Sequence, residues 1–130
     1  MNAFIQLFLM ALTIAMEAGG EPRRGKLAVA WVLHTRQKLY KSSLSDVEFK
    51  KYQFSAWLTG SATLMNIDQI SDVLFQECLG VCIAAVNEFE LDPTFGATHY
   101  LNEKTVFALP SWFDETKVTV RIGNHTFLKL

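Results

Sequence analysis

The sequence predicts an α+β fold, mainly helical, with a small antiparallel sheet in the C-terminal third. Three observations carry this. Apolar residues recur at helical spacing through long stretches up to Phe89. Strict alternation of apolar and polar residues appears only late, at Lys117-Val118-Thr119-Val120-Arg121-Ile122. Directly after it, Gly123-Asn124 has the form of a two-residue hairpin turn with glycine first. No repeat or linker divides the chain, and 130 residues suffice for one domain with a sizeable core, so residues 1–130 are taken as one unit.

The first helix is expected over roughly residues 3 to 17, with Ile5, Phe8, Leu9, Leu12 and Met16 as its apolar stripe. Gly19-Gly20 should stop it by taking the left-handed conformation. Pro22 is tolerated in the first turn of the next helix, which should run to about Leu39. The middle of that helix, Leu27 to Leu33, is apolar on every side and therefore belongs at the centre of the domain. Lys41 to Ser45 reads as a turn, Asp46 to Tyr52 as a short helix, and Gln53-Phe54-Ser55-Ala56-Trp57 as a polar-aromatic segment. A third long helix is expected over roughly Ser71 to Glu88, with Leu74, Cys78, Val81, Cys82, Ala85 and Phe89 inward and Asp92-Pro93 as its stop. The strand at 117–122 should return through His125 to Leu130, with Ala97 to Leu101 as a third strand.

Composition excludes several classes. Half the residues (50%) are apolar, no low-complexity or like-charge run occurs, and a folded globule follows rather than a disordered chain. With 12 basic and 13 acidic residues there is no basic stripe, so nucleic acid is not an expected partner. Phe4 to Met16 would suit a signal-peptide core, yet no Lys or Arg precedes it. It also falls short of the about 20 residues that span a membrane, so it is read as a buried helix without stable membrane association. Cys78 and Cys82 lie on one helix face in consecutive turns, where a disulfide would close a very short loop and stabilise little. They are read as reduced core residues.

Glu17 is the candidate chemical group. It sits at the C-terminal end of an apolar helix, where the helix dipole and partial burial both disfavour a second negative charge. Both effects raise a carboxyl pKa, as a general acid at neutral pH requires. From spacing alone a surface glutamate at a helix end is the favoured reading. Asp46, Asp92 and Asp114 sit in loop-like or terminal contexts, so no second carboxylate is evident as a partner.

Longer blocks add to this. Met16-Glu17-Ala18-Gly19-Gly20-Glu21-Pro22, followed by Gly25-Lys26-Leu27-Ala28-Val29-Ala30, resembles the opening of the SleB-type cell-wall hydrolases, the spore-cortex-lytic enzymes and their bacterial and phage relatives. The resemblance continues at Gln53-Phe54-Ser55, Asp92-Pro93-Thr94, Gly96 to Asn102, Pro110-Ser111-Trp112 and Ile122 to Phe127, in the family's order and over almost the whole chain. It implies a lysozyme-like fold and cleavage of peptidoglycan between N-acetylmuramic acid and N-acetylglucosamine, in the manner of a lytic transglycosylase. The first glutamate of the motif is the family's catalytic one, which maps onto Glu17 as sole acid and base. Glu21 is assigned to structure, capping the second helix or bonding nearby backbone, with Gly20 beside it. Where the family has Asn-Arg, this chain has His34-Thr35-Arg36; Arg36 takes the arginine's place and His34 is read as a buried core residue.

For substrate binding, Gln53, Ser55, Tyr100 and Asn102 offer hydrogen bonds from the matched blocks. Phe54, Trp57 and Trp112 either stack on sugars or form core. His99 and His125 either line the cleft or hold the sheet's hydrogen bonds. No pair among the three histidines has ligand spacing, so neither metal nor cofactor is expected. The expected partner is the peptidoglycan glycan strand, met by a monomer of endolysin type held in the host cytoplasm until release. A hydrolytic muramidase and a non-catalytic wall-glycan-binding domain of the same fold are the alternatives.

Overall fold

The computed structural model describes residues 3–40 and 69–130. The expected turn at Lys41–Ser45, the short helix at Asp46–Tyr52 and the segment Gln53–Trp57 lie outside the described residues. Among the described residues, three helices, α1 (Ala3–Ala18), α2 (Arg23–Tyr40) and α3 (Asp72–Val86), precede three strands, β1 (His99–Leu101), β2 (Val118–Ile122) and β3 (His125–Leu128). The strands form one antiparallel sheet in the order β1-β3-β2.

α2 is the centre, packed against both α1 and α3 and touching β1 and β2. Leu27 through Leu33 are all buried, as an all-apolar helix middle requires. The Pro22 carbonyl accepts from the amides of Gly25 and Lys26, so the proline caps the helix from just outside it. Three side chains fasten α2 to later parts of the chain. Arg23 pairs with both oxygens of Glu90 at 2.9 and 2.5 Å, the Trp31 indole donates to the Glu90 carbonyl at 3.2 Å, and buried Arg36 donates through Nε to the Thr98 carbonyl at 2.6 Å.

α1 has its expected span but turns a different face inward. The buried residues are Met10, Ala11, Thr13, Ile14, Ala15 and Ala18, whereas Ile5 and Phe8 are 43% and 42% exposed. The helix is apolar nearly all round, so periodicity does not select the inner face. The alanines do: without bulky side chains, α1 can lie close to its neighbours, and Met10 and Ile14 fill the gaps. The end of α1 is also made differently from the expectation. Neither Gly19 nor Gly20 takes a positive φ. Gly19 is demanded by space instead, since a Cβ there would stand 2.3 Å from the Ala15 carbonyl oxygen, while at Gly20 it would meet nothing within 4 Å.

α3 starts at the Ser71 cap, whose hydroxyl accepts from the Leu74 amide. Cys78, Val81, Cys82 and Ala85 are buried as expected. The helix ends earlier than Asp92-Pro93 would place it. The Asn87 side chain donates to the Ile83 carbonyl at 3.0 Å and Glu88 takes φ 54°, which turns the chain out and leaves Phe89 75% exposed. Asp92 then builds the loop into β1: its carboxylate accepts from the Thr94 amide and hydroxyl and from the Gly96 amide, and Thr94 Oγ1 accepts from Ala97.

The sheet is legible from its pattern. β2 and β3 join through Gly123-Asn124, with positive φ at the glycine alone, the signature of the turn type that takes glycine first. All four residues of β3 are buried because it is the central strand. Tyr100 pairs with Phe127, and Leu101 with Thr126. Among the described residues no helix is long and apolar enough to cross a membrane.

Gly19→Ala should therefore cost about 1–3 kcal/mol of stability through the forced shift of the α1 terminus. Gly20→Ala should stay within about 0.5 kcal/mol. Urea unfolding of the two variants checks the contrast, and equal stabilities would contradict it.

Candidate active site

Glu17 occupies the last turn of α1 and is half-buried. Its side chain lines a cavity of about 340 Å³, walled by Gly19 and Gly20 at the end of α1 and by Gln69, Ile70 and Leu74 at the start of α3. The Tyr100 hydroxyl, from the middle of β1, donates to Glu17 Oε2. A donor on a carboxylate favours its ionised form, whereas the carbonyls at a helix C-terminus favour the protonated one.

Glu21 is buried and does not cap α2. Its carboxylate reaches across to the β2–β3 hairpin, where Oε1 accepts from the Asn124 amide at 2.9 Å. His125 Nδ1 lies 2.8 Å from the same oxygen, close but without the geometry of a full hydrogen bond. The carboxylate fills the space over Gly123, where a Cβ would stand 2.2 Å from Oε2. Lys26, buried and unremarked as a site residue in the sequence, holds the other side of this turn. Its ammonium donates to the Glu21 carbonyl and pairs with Glu77 of α3 at 2.8 Å. A lysine directly before the apolar run Leu27 to Leu33 was the available signal for it.

Tyr100 and His125 share the inner face of the sheet, in edge contact at 5.6 Å between centroids, with Phe127 beside both. His125 is only 5% exposed, so it has little surface for a substrate and belongs to the support behind Tyr100 rather than to a cleft wall. Alternation along β1 turns His99 to the opposite face. There its Nδ1 meets Thr98 Oγ1 at 2.9 Å and its ring packs on Trp112 at 4.9 Å. Asn102 uses its side-chain carbonyl on the Lys104 amide at 3.0 Å, forming a turn after β1. Arg36 acts at a distance, by fixing Thr98 two residues before Tyr100. Gln53 and Ser55 lie outside the described residues.

The other carboxylates weighed as partners for Glu17 are occupied. Asp92 closes its own loop, and Asp114 caps the short helical turn Glu115–Lys117. Asp46 lies outside the described residues. Glu103, which the sequence did not single out, bonds Thr126 Oγ1 and pairs with Arg121. Thr126 precedes Phe127 on β3, so this cluster lies on the sheet face away from Tyr100. Among the described residues no group of three or more His, Cys, Asp or Glu side chains is placed to hold a metal ion. Burial pushes the Cys78 thiol up to about 11, with Lys26 pulling the other way, and holds Cys82 well above its ordinary value, so neither is a ready nucleophile. His34 is buried against Trp31, and neither ring nitrogen has a hydrogen-bond partner among the described residues.

The profile of the cell wall hydrolase family matches residues 20–128, a span that begins just after Glu17. The spore cortex-lytic enzyme of Oceanobacillus iheyensis is 31% identical over 123 residues, 93% of this chain and 40% of that protein. That of Halalkalibacterium halodurans is 30% identical over 121 residues, 92% of this chain and 33% of its own length. The chain therefore spans well under half the length of these curated relatives. Among solved structures, the catalytic domain of the germination-specific lytic transglycosylase SleB from Bacillus anthracis superposes with a TM-score of 0.74 at 27% identity, covering 98% of this chain and 97% of that one. The catalytic domain of the Bacillus cereus SleB protein gives 0.72 at 26% identity, covering 99% and 93%. The lysozyme-like arrangement expected from the sequence is thus the SleB catalytic-domain fold.

Burial lowers the proton affinity of both His34 and His125, with Lys38 adding to the effect at His34 and Glu21 opposing it at His125. Above the ordinary imidazole value of 6.5 both states are neutral and stability is complete. As pH falls below 6.5 the unfolded chain takes up protons that the folded chain resists, and stability is lost. Urea midpoints should drop between about pH 7.5 and about pH 5.5. A flat profile over that window would contradict the burial of neutral imidazoles.

Proposed function

Since the chain belongs to the cell wall hydrolase family, we propose that it cleaves the peptidoglycan glycan strand between N-acetylmuramic acid and N-acetylglucosamine as a lytic transglycosylase, with Glu17 as both acid and base. The observation that carries this is the Glu17 carboxylate on the wall of an open cavity with the Tyr100 hydroxyl bonded to it. The solved relatives of the same fold, one titled a lytic transglycosylase, support the reaction class.

The reaction needs one proton moved twice. Protonated Glu17 gives its proton to the glycosidic oxygen as the bond to C1 of the muramic residue breaks. The N-acetyl group of that residue stabilises the electron-poor C1 centre. Glu17, now ionised and steadied by the Tyr100 donor, accepts the proton of the C6 hydroxyl as its oxygen closes on C1. The product is a 1,6-anhydro sugar, and Glu17 ends protonated as it began. A two-carboxylate hydrolysis would call for a second acidic group across the scissile bond. Among the described residues, the engagement of Asp92, Asp114 and Glu21 elsewhere, and the position of Glu103 on the far face of the sheet, favour the one-carboxylate route.

Muropeptide mass spectrometry on digested peptidoglycan tests the proposal. Wild-type protein should release anhydro-ended fragments; new reducing ends would mean hydrolysis by water, and no products a binding domain. Glu17→Gln should lower turnover by about 10²-fold or more. Near-normal lysis by that variant would remove Glu17 from the mechanism. Tyr100→Phe should lower kcat by about tenfold, with KM changed little, because the lost donor acts on the ionised state of Glu17.

A further inference from the structure

His125 is a buried, titratable ring at the start of the central strand, and the proposed reaction gives it no step. Its surroundings are specific. Nδ1 stands 2.8 Å from Glu21 Oε1, and the ring meets Tyr100 edge-on at 5.6 Å and 74°. Glu21 follows Glu17 by one helical turn's length of chain, and the Tyr100 hydroxyl returns to Glu17. These contacts close a loop that begins and ends on Glu17. A phenol can swing about its side-chain torsions, so the place of its hydroxyl depends on what packs against the ring. Here His125 and Phe127 do so.

We infer that His125 is a positioning residue for Glu17: seated on Glu21, it fixes the Tyr100 ring whose hydroxyl donates to the Glu17 carboxylate, and a proton on His125 misplaces that donor. The inference rests on the reading of Glu17 as acid and base. The displacement has a geometric cause. The present His125–Glu21 contact lacks the alignment of a full hydrogen bond. An imidazolium beside a carboxylate forms a charge-assisted bond, which is short and straight. Straightening it turns the ring, and the edge held against Tyr100 turns with it.

The groups facing His125 come from four places. Glu21 on the α1–α2 turn is the charged group set against it, and Tyr100 comes from β1. β2 offers the apolar Ile122 as register partner, and β3 itself offers Phe127. Lys104, from the loop after β1, reaches only the neighbouring Asn124 side chain at 2.7 Å. Burial lowers the proton affinity of His125, and among these described residues Glu21 is the charged group that opposes it.

The test combines activity and carboxyl NMR on the full chain, against pH. In wild type, kcat on peptidoglycan should fall by about tenfold as His125 protonates, with KM nearly constant. The carbon-13 signal of the Glu17 carboxyl should show an inflection at the same pH. In His125→Phe, which keeps a ring but takes no proton, that inflection and the acid limb of kcat should vanish. Glu21→Gln still accepts from the Asn124 amide but removes the charge, so the limb should move to lower pH; this variant serves where His125→Phe does not fold. A Glu17 signal with no inflection at the His125 midpoint overturns the inference, as does an acid limb unmoved by Glu21→Gln. If instead the NMR coupling is present while Glu17→Gln remains active, the positioning stands and the catalytic reading of Glu17 fails.

Discussion

The Glu21 carboxylate, seated on the hairpin turn at Gly123-Asn124, is the contact on which the arrangement depends. It joins the end of α1 to the start of β3, more than a hundred residues later. Because β3 is the central strand, fixing its first residue fixes both neighbours by register, including Tyr100 opposite Phe127. Burying a carboxylate is costly unless its lone pairs are used, and removing a partner leaves the charge stranded. Here the Asn124 amide bonds one oxygen, with His125 Nδ1 2.8 Å from it, while the other fills the space left by the missing Cβ of Gly123. The same residue's carbonyl is held by Lys26, which also reaches α3 through Glu77. One four-residue turn is thereby fastened to the sheet on one side and to α2 and α3 on the other, and Glu17 stands at its entrance.

In the proposed reaction one carboxylate serves two proton transfers. A group that is only buried at a helix end would hold its proton and fail as a base. One surrounded only by donors would release it and fail as an acid. Glu17 has the α1 carbonyl end on one side and the Tyr100 hydroxyl on the other. The sheet separates this centre from the Glu103–Arg121–Glu115 cluster, so that the outer charges stay on their own face.

Much of the fold was legible because its signals are local. The α2 interior, the Ser71 region, the alternating strand and the Gly123-Asn124 turn each state their structure within a few residues. The inner face of α1 was not, because Ile5, Phe8 and Leu12 are as apolar as Met10 and Ile14, and the choice is made by how closely neighbours can approach Ala11, Ala15 and Ala18. The outward turn of Phe89 was not legible because Asn87 and Glu88 stop α3 by a side-chain bond and a left-handed residue, without a glycine or proline. At the site, Glu17 could be singled out from its helix end and its resemblance to the family motif. Its bond to Tyr100, across 83 positions, exists only once the sheet is docked, and spacing carries no trace of it. For the same reason the sequence leaves His125 either in the cleft or within the sheet, and only the docked sheet shows it buried beside Tyr100.

The most direct measurement is a crystal structure of the Glu17→Gln protein with a peptidoglycan oligosaccharide bound. The account predicts the scissile glycosidic oxygen within about 3 Å of the side chain at position 17, with the Tyr100 hydroxyl on the same side chain. A glycan seated instead on the opposite face of the sheet, against His99 and Trp112, with the cavity beside position 17 empty, would contradict it.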